Sequence, residues 1–216
     1  MEINYVIWNV RLTGGIRVYF EIVNRLVERD HNVTVSVITG DPSWFPLKAK
    51  IIHINEHFKY GSLLNVLYSI FSLAKKIPDC DINVAGWPFS VYPVYLSRKG
   101  TIKIHSMLHY ENLFFKGLAE KMINLTYKLP FYIIVNSSWL QRILKEKHNK
   151  DSFLINPGIN LKVFYPRKVK KPEMKRIVCL GKDTVRWKGI PEALKAMKIV
   201  LKKRKDVELV FLEQPH

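Results

Sequence analysis

Two hydrophobic rhythms alternate along this chain, one of two residues and one of about 3.6, and that alternation restricts it to folds built from β-α-β units. Ile3-Asn4-Tyr5-Val6-Ile7-Trp8-Asn9-Val10 is rich in β-branched and aromatic residues and reads as a strand. Thr13-Gly14-Gly15 ends it as a turn. From Arg17 the period changes, with Tyr19, Ile22, Val23, Leu26 and Val27 at helical spacing and Arg29-Asp30-His31-Asn32 closing the helix. Val33 to Ile38 is again a strand. Two strands joined in this way lie parallel with a right-handed crossover.

The alternation continues. Lys50 to Ile54, Ile82 to Ala85, Ile102 to Leu108, Tyr132 to Asn136 and Phe153 to Asn156 read as strands; Leu63 to Lys76, Asn112 to Lys128 and Ser138 to Lys147 read as helices. This order predicts an α/β protein with a doubly wound, mostly parallel sheet covered on both faces by helices. Asn160 to Glu173 loses the periodicity and carries Pro166 and Pro172, the mark of a linker. The pattern then restarts with a strand at Arg176 to Leu180, a helix at Pro191 to Lys203 and a strand at Val207 to Leu212. The expected organisation is a complete domain over 1–159, a linker over 160–174 and an incomplete second α/β unit over 175–216, since roughly 50 residues is the lower limit of an ordinary domain.

With 216 residues and 48% hydrophobic content, the chain can bury a sizeable core. Its longest apolar stretches, Leu63 to Leu73 and Leu129 to Val135, fall short of the roughly 20 residues that span a bilayer. Met1-Glu2-Ile3-Asn4 runs straight into a strand without the features of a secretion signal, so a cytoplasmic location is expected. Cys80 and Cys179 lack metal-ligand spacing and are assigned neither to a disulfide nor to zinc. The net charge of +17 is concentrated: residues 142–205 hold 20 Lys+Arg against 5 Asp+Glu. Such a basic protein attracts the phosphates of a small ligand, an anionic membrane surface or nucleic acid; the competing reading is a solvated lysine face.

In an open parallel sheet, ligands bind beyond the carboxyl ends of the strands. Gly14 and Gly15 follow the first strand and open a helix, where bare N–H groups can receive an anion. They do not form the G-x-G-x-x-G fingerprint, which disfavours a dinucleotide oxidoreductase. His109 stands just past the strand that ends at Leu108, with Tyr110 and Glu111 beside it, where a catalytic or substrate-contacting imidazole belongs. His105, inside that strand, is expected to be packed. Asp79-Cys80-Asp81 resembles a metal-binding D-x-D, but it precedes its strand and so falls at the wrong edge. Gly181 to Gly189 follows the first strand of the second unit, and Lys182, Arg186 and Lys188 suit it to be a diphosphate cradle at a helix N-terminus; the competing reading is a surface loop of a basic protein.

Together these features resemble the retaining glycosyltransferases of family 4, whose GT-B fold pairs two Rossmann-like domains. The resemblance rests on Gly14-Gly15 with the helix to Asp30-His31, on His109-Tyr110-Glu111, and on Val135-Asn136-Ser137-Ser138-Trp139-Leu140. It extends to Asn156-Pro157-Gly158-Ile159-Asn160 with Phe164 and Pro166, and to Gly181-Lys182 with Lys188-Gly189. It implies a nucleotide-sugar donor, an acceptor held by 1–159, and a donor domain beginning at 175. By position, Lys182 and Lys188 would hold the donor diphosphate, Gly15 would approach the reacting centre and His109 would touch the transferred sugar. No metal or other cofactor is expected. Two departures stand out: Lys182 replaces the family's usual arginine, and no pair of glutamates has the family's E-x7-E spacing. The chain is therefore expected to be either a fragment of a longer enzyme or a truncated protein that binds an acceptor without turning it over.

The acceptor is expected among lipid-linked or protein-linked glycans, with peripheral contact to an anionic membrane and self-association through the second unit as further partnerships. A rival reading is a binding module that grips an acceptor without catalysis. The Asn112 to Lys128 segment, apolar with interspersed lysines, fits interfacial attachment as well as it fits core packing. Nucleic acid is disfavoured, since no helix-turn-helix spacing, zinc motif or stacking-aromatic strand accompanies the charge.

Overall fold

A computed structural model describes residues 1–54, 63–170, 172–181 and 188–212. The chain divides into two compact units, Met1–Gly158 and Ile159–His216.

The first unit contains β1 (Glu2–Asn9), α1 (Gly14–Val27), β2 (Asn32–Thr39), β3 (Lys50–His53), α2 (Leu63–Lys76), β4 (Ile82–Ala85) and α3 (Pro88–Leu96). After these come β5 (Ile102–Met107), a 3-10 turn (Glu111–Leu113), α4 (Leu118–Thr126), β6 (Tyr132–Val135), α5 (Ser138–His148) and β7 (Phe153–Leu154). The strands form a seven-stranded sheet in the order β3-β2-β1-β4-β5-β6-β7. Every pairing is parallel. The chain winds outward from β1 to β3, then returns to place β4 on the other side of β1. Strand order therefore reverses between β1 and β4, which opens a crevice beyond their carboxyl ends.

Burial on both faces gives the inner strands their nearly continuous apolar sequence. On β1, Tyr5 and Ile7 share a core with Phe20 and Val23 of α1. The alternate residues Val6 and Trp8 join Ile70 and Leu73 of α2 and Phe89 of α3 in the core of the opposite face. A polar ladder crosses this interior: Ser36 Oγ donates to Asn4 Oδ1 at 2.8 Å, and Asn4 Nδ2 donates to Asn83 Oδ1 at 2.8 Å. Asn83 Nδ2 in turn donates to the Lys99 carbonyl at 2.8 Å. Three strands are thus joined by side-chain bonds in which each buried amide has a partner.

Local signals fix the helix ends. Thr13 Oγ1 accepts the Ile16 N–H at 3.3 Å and caps α1; Ser137 Oγ accepts the Leu140 N–H at 3.3 Å and caps α5. Asn149, with φ +48°, ends α5 in the left-handed conformation. Two helices differ from expectation. The segment Asn112 to Lys128 is not one helix, because Gly117 adopts φ +67° and separates the 3-10 turn from α4. Pro88–Leu96 is a helix that periodicity does not reveal, with Pro88 in its first turn and Pro93 inside it.

The second unit contains β8 (Lys175–Leu180), α6 (Ile190–Lys203) and β9 (Val207–Leu212). β8 and β9 pair in parallel over their whole length. Ile190 and Met197 of α6 are buried, as is Val207 of β9, whereas Ile177, Val178, Leu180, Phe211 and Leu212 are exposed. Among the described residues no helix is long and apolar enough to cross a membrane.

Candidate functional site

The crevice between β1 and β4 holds a pocket of about 270 Å³ whose walls include Asn9, Arg11, Gly15, Trp87, His109 and Glu111. All of these belong to the first unit. Most of these residues sit at the carboxyl end of a strand: Asn9 ends β1, Arg11 lies just beyond it, Trp87 follows β4, and His109 and Glu111 follow β5, while Gly15 belongs to the first turn of α1. The parallel sheet points these connections to one edge, so the site is a consequence of topology.

Tyr19 of α1 holds the floor. Its hydroxyl lies 2.7 Å from the Ser106 carbonyl and 2.9 Å from the Gly86 carbonyl, and donates its single proton between them. Burial pushes the Tyr19 phenol well above its ordinary value, so it remains a donor. Gly15 lets α1 begin close to the connection after β5: a Cβ there would stand 3.3 Å from Leu108 Cδ1. Asn136 Nδ2 donates to the Leu108 carbonyl at 3.1 Å and steadies the same connection from β6.

Trp87 forms an aromatic wall. Its ring centroid lies 5.7 Å from Trp8, 4.8 Å from Phe89 and 6.1 Å from Phe115. The ring of His109 meets that of Phe114 edge-on at 6.1 Å. Glu111 is 8% exposed, and burial raises its carboxyl to about 7. Among the described residues no cation forms an ion pair with it.

Of the residues singled out by sequence, Gly15 and His109 meet in this pocket, and Gly14 is the first residue of α1 beside it. Lys182 and Arg186 lie outside the described residues. Lys188 belongs to the second unit, directly before Gly189 and the start of α6. Its side chain folds over Gly181 so closely that a Cβ at Gly181 would come within 2.9 Å of Lys188 Cγ. His105 is fully buried, as expected, and its ring stacks on Tyr127 with centroids 6.3 Å apart. Asp81 sits at the amino end of the sheet, where its carboxylate accepts the Glu2 N–H at 2.8 Å. Among the described residues no three His, Cys, Asp or Glu side chains converge to hold a metal.

The sequence reading does not point to Trp87, Asn9 or Arg11, and Glu111 enters it only as a neighbour of His109. The rule that selected His109, position just past a strand, applies equally to Gly86-Trp87 after β4 and to Asn9 at the end of β1.

The family model of Glycosyltransferase Family 4 matches residues 13–163, which contain most of these pocket residues. The chain belongs to Glycosyltransferase Family 4. Solved structures carry the same α/β architecture, the Rossmann-like arrangement of GT-B proteins. Sucrose-phosphate synthase of Thermosynechococcus elongatus aligns over 100% of this chain and 71% of its own, at 13% identity and a TM-score of 0.75. A glycosyltransferase of Rickettsia africae aligns over 97% of this family-4 chain and 68% of its own, at 14% identity and a TM-score of 0.64. HepE of Anabaena, solved with UDP and glucose, aligns over 100% of this chain at 12% identity and a TM-score of 0.71. The chain spans 62% of HepE, less than two thirds of its length. Among curated protein sequences, none is a significant match.

Proposed function

We propose that this family-4 chain acts in the transfer of a hexosyl group from a nucleotide-sugar to an acceptor, with retention of anomeric configuration. The observation that carries this reading is the pocket at the strand-order reversal, where Gly15 and His109 stand together. His109 contacts the transferred sugar, and the N-termini of α1 and α6 each present bare N–H groups. Lys188, together with Lys182 and Arg186, neutralises the donor diphosphate. As the bond from the anomeric carbon to the phosphate oxygen breaks, its electron pair leaves with the nucleoside diphosphate, the acceptor hydroxyl oxygen bonds to the anomeric carbon on the same face, and its proton passes to the departing phosphate oxygen, while those cations stabilise the charge. HepE, solved with UDP and glucose, supports a UDP-sugar as the first donor to test.

The acceptor is a lipid-linked or protein-linked glycan, reached at the cytoplasmic face of an anionic membrane that the basic surface contacts. Transfer uses no metal. Calorimetric titration with UDP, GDP and ADP is expected to show one preferred nucleotide. Incubation of the protein with the matching nucleotide-sugars and glycan acceptors is expected to release nucleoside diphosphate and give a product with the donor's anomeric configuration. Binding of none of the nucleotides, or an inverted product, overturns the reading.

A further inference from the structure

Glu111 stands out in the pocket because, among the described residues, no structural bond explains its burial. Its main-chain carbonyl accepts the N–H groups of Phe114 and Phe115, which fixes the 3-10 turn, but no hydrogen bond or ion pair from a described residue engages its carboxyl. The charged and titratable groups around it are otherwise committed. Tyr19 of α1 bonds to main-chain carbonyls, and the Tyr127 hydroxyl after α4 donates to Asn112 Oδ1 at 3.1 Å. Tyr110 lies 2.9 Å from Nε2 of His148 on α5, and Glu120 of α4 pairs with Lys116 at 3.7 Å. Arg11, on the turn after β1, and His109 share the pocket wall with Glu111.

A buried carboxyl without a partner is costly, and one that faces a cavity beside an aromatic wall matches the chemistry of a sugar ring. The C–H face of a pyranose packs on an aromatic ring such as Trp87, and its hydroxyls donate to a carboxylate, which in its ionised form only accepts. We propose that Glu111 is the group that recognises sugar hydroxyls in this pocket, and that it does so as a carboxylate, so that a sugar entering the pocket expels a proton from the protein. This inference rests on the transferase reading for its substrate class and deepens it by naming the recognising group.

Proton balance sets the expected behaviour. In the empty pocket burial holds Glu111 near 7, so at pH 6 most molecules carry the proton and at pH 8 few do. Hydroxyl donors favour the ionised form, so binding at pH 6 releases about one proton and binding at pH 8 releases almost none. Apparent affinity is then about tenfold weaker at pH 6 than at pH 8.

The test uses the 216-residue chain and the methyl glycosides of glucose, galactose, mannose, rhamnose and N-acetylglucosamine. Binding is followed by intrinsic tryptophan fluorescence, to which Trp8 and Trp87 in the pocket wall contribute, and by calorimetry in buffers of different ionisation enthalpy. At least one glycoside is expected to bind with proton release at pH 6. Glu111→Gln is expected to weaken binding at pH 8 by about tenfold and to abolish both proton release and pH dependence, while Glu111→Asp keeps the release. Thermal denaturation checks that both variants fold. Failure of every glycoside to perturb the tryptophans, or proton release unchanged in Glu111→Gln, overturns the proposal. Nucleotide titration of the same samples separates the two readings: a preferred nucleotide bound alongside a proton-neutral sugar sinks the role of Glu111 alone.

Discussion

The Tyr110 hydroxyl and Nε2 of His148 stand 2.9 Å apart, joining the residue between His109 and Glu111 to the last turn of α5. The His148 ring also packs against Tyr127, with centroids 4.5 Å apart. The pocket wall is therefore held from behind by a helix that does not itself line the pocket. Tyr110→Phe removes only the hydroxyl and should cost about 1 kcal/mol, while His148→Ala loses the ring packing as well and should cost more. A double-mutant cycle by urea denaturation should show the two changes to be coupled; additive losses would mean that the bond contributes nothing.

His105 gives the first unit a sensitivity to acid. Both ring nitrogens are buried, no hydrogen-bond partner reaches them among the described residues, and burial lowers the imidazole to about 3. The unfolded chain takes up this proton below an ordinary value of about 6.5, but the folded chain resists it. Stability from this residue is therefore complete above about 6.5 and lost progressively as pH falls toward 3, by up to about 1.4 kcal/mol per pH unit. His105→Leu should flatten that part of the profile in urea titrations at pH 7, 6 and 5. An unchanged slope would assign the acid sensitivity to other groups.

The paired glycines at the start of α1 should respond differently to substitution. A Cβ on Gly14 meets nothing within 4 Å, whereas on Gly15 it presses on Leu108 at 3.3 Å. Gly14→Ala should stabilise the unit by up to about 1 kcal/mol in thermal denaturation, through the helix preference of alanine. Gly15→Val should bring no such gain and should weaken glycoside binding in the pocket. Equal effects of the two changes would remove the special position of Gly15.

Lys188 should matter more to nucleotides than its charge alone predicts. It precedes the amino end of α6, while Lys202 and Lys203 occupy the last turn of the same helix. Lys188→Ala should weaken nucleoside-diphosphate binding more than Lys202→Ala or Lys203→Ala in calorimetric titrations. Equal losses would reduce the basic segment to diffuse attraction, screened by salt.

Much of the fold is legible in the sequence because strands and amphipathic helices differ in period: α2 and β4 fall at Leu63–Lys76 and Ile82–Ala85, as read. α3 is invisible to that method because Pro88, Phe89, Ser90, Val91, Pro93 and Val94 are all buried, so no polar face marks the turn. The break at Gly117 is not legible because Phe114, Leu118, Met122 and Leu125 continue the helical pattern across it, while its positive φ is a tertiary fact. At the site, His109 and Gly15 are readable from their places after strands. The meeting of Trp87 with Glu111 depends on β4 and β5 becoming neighbours, which no local pattern states.

The ladder through Ser36, Asn4 and Asn83 has a consequence for how the sheet assembles. Asn4 and Asn83 are 79 positions apart, so the pairing of β4 with β1 is a long-range contact that no local turn sets. Hydrophobic side chains would accept several registers at that junction. Slipping β4 by one residue would instead turn Asn83 to the opposite face and strand the amide of Asn4 in an apolar interior, at about 1–3 kcal/mol for each orphaned group. The ladder thus works as a proofreading device, rejecting misjoined sheets before the crevice between β1 and β4 can form.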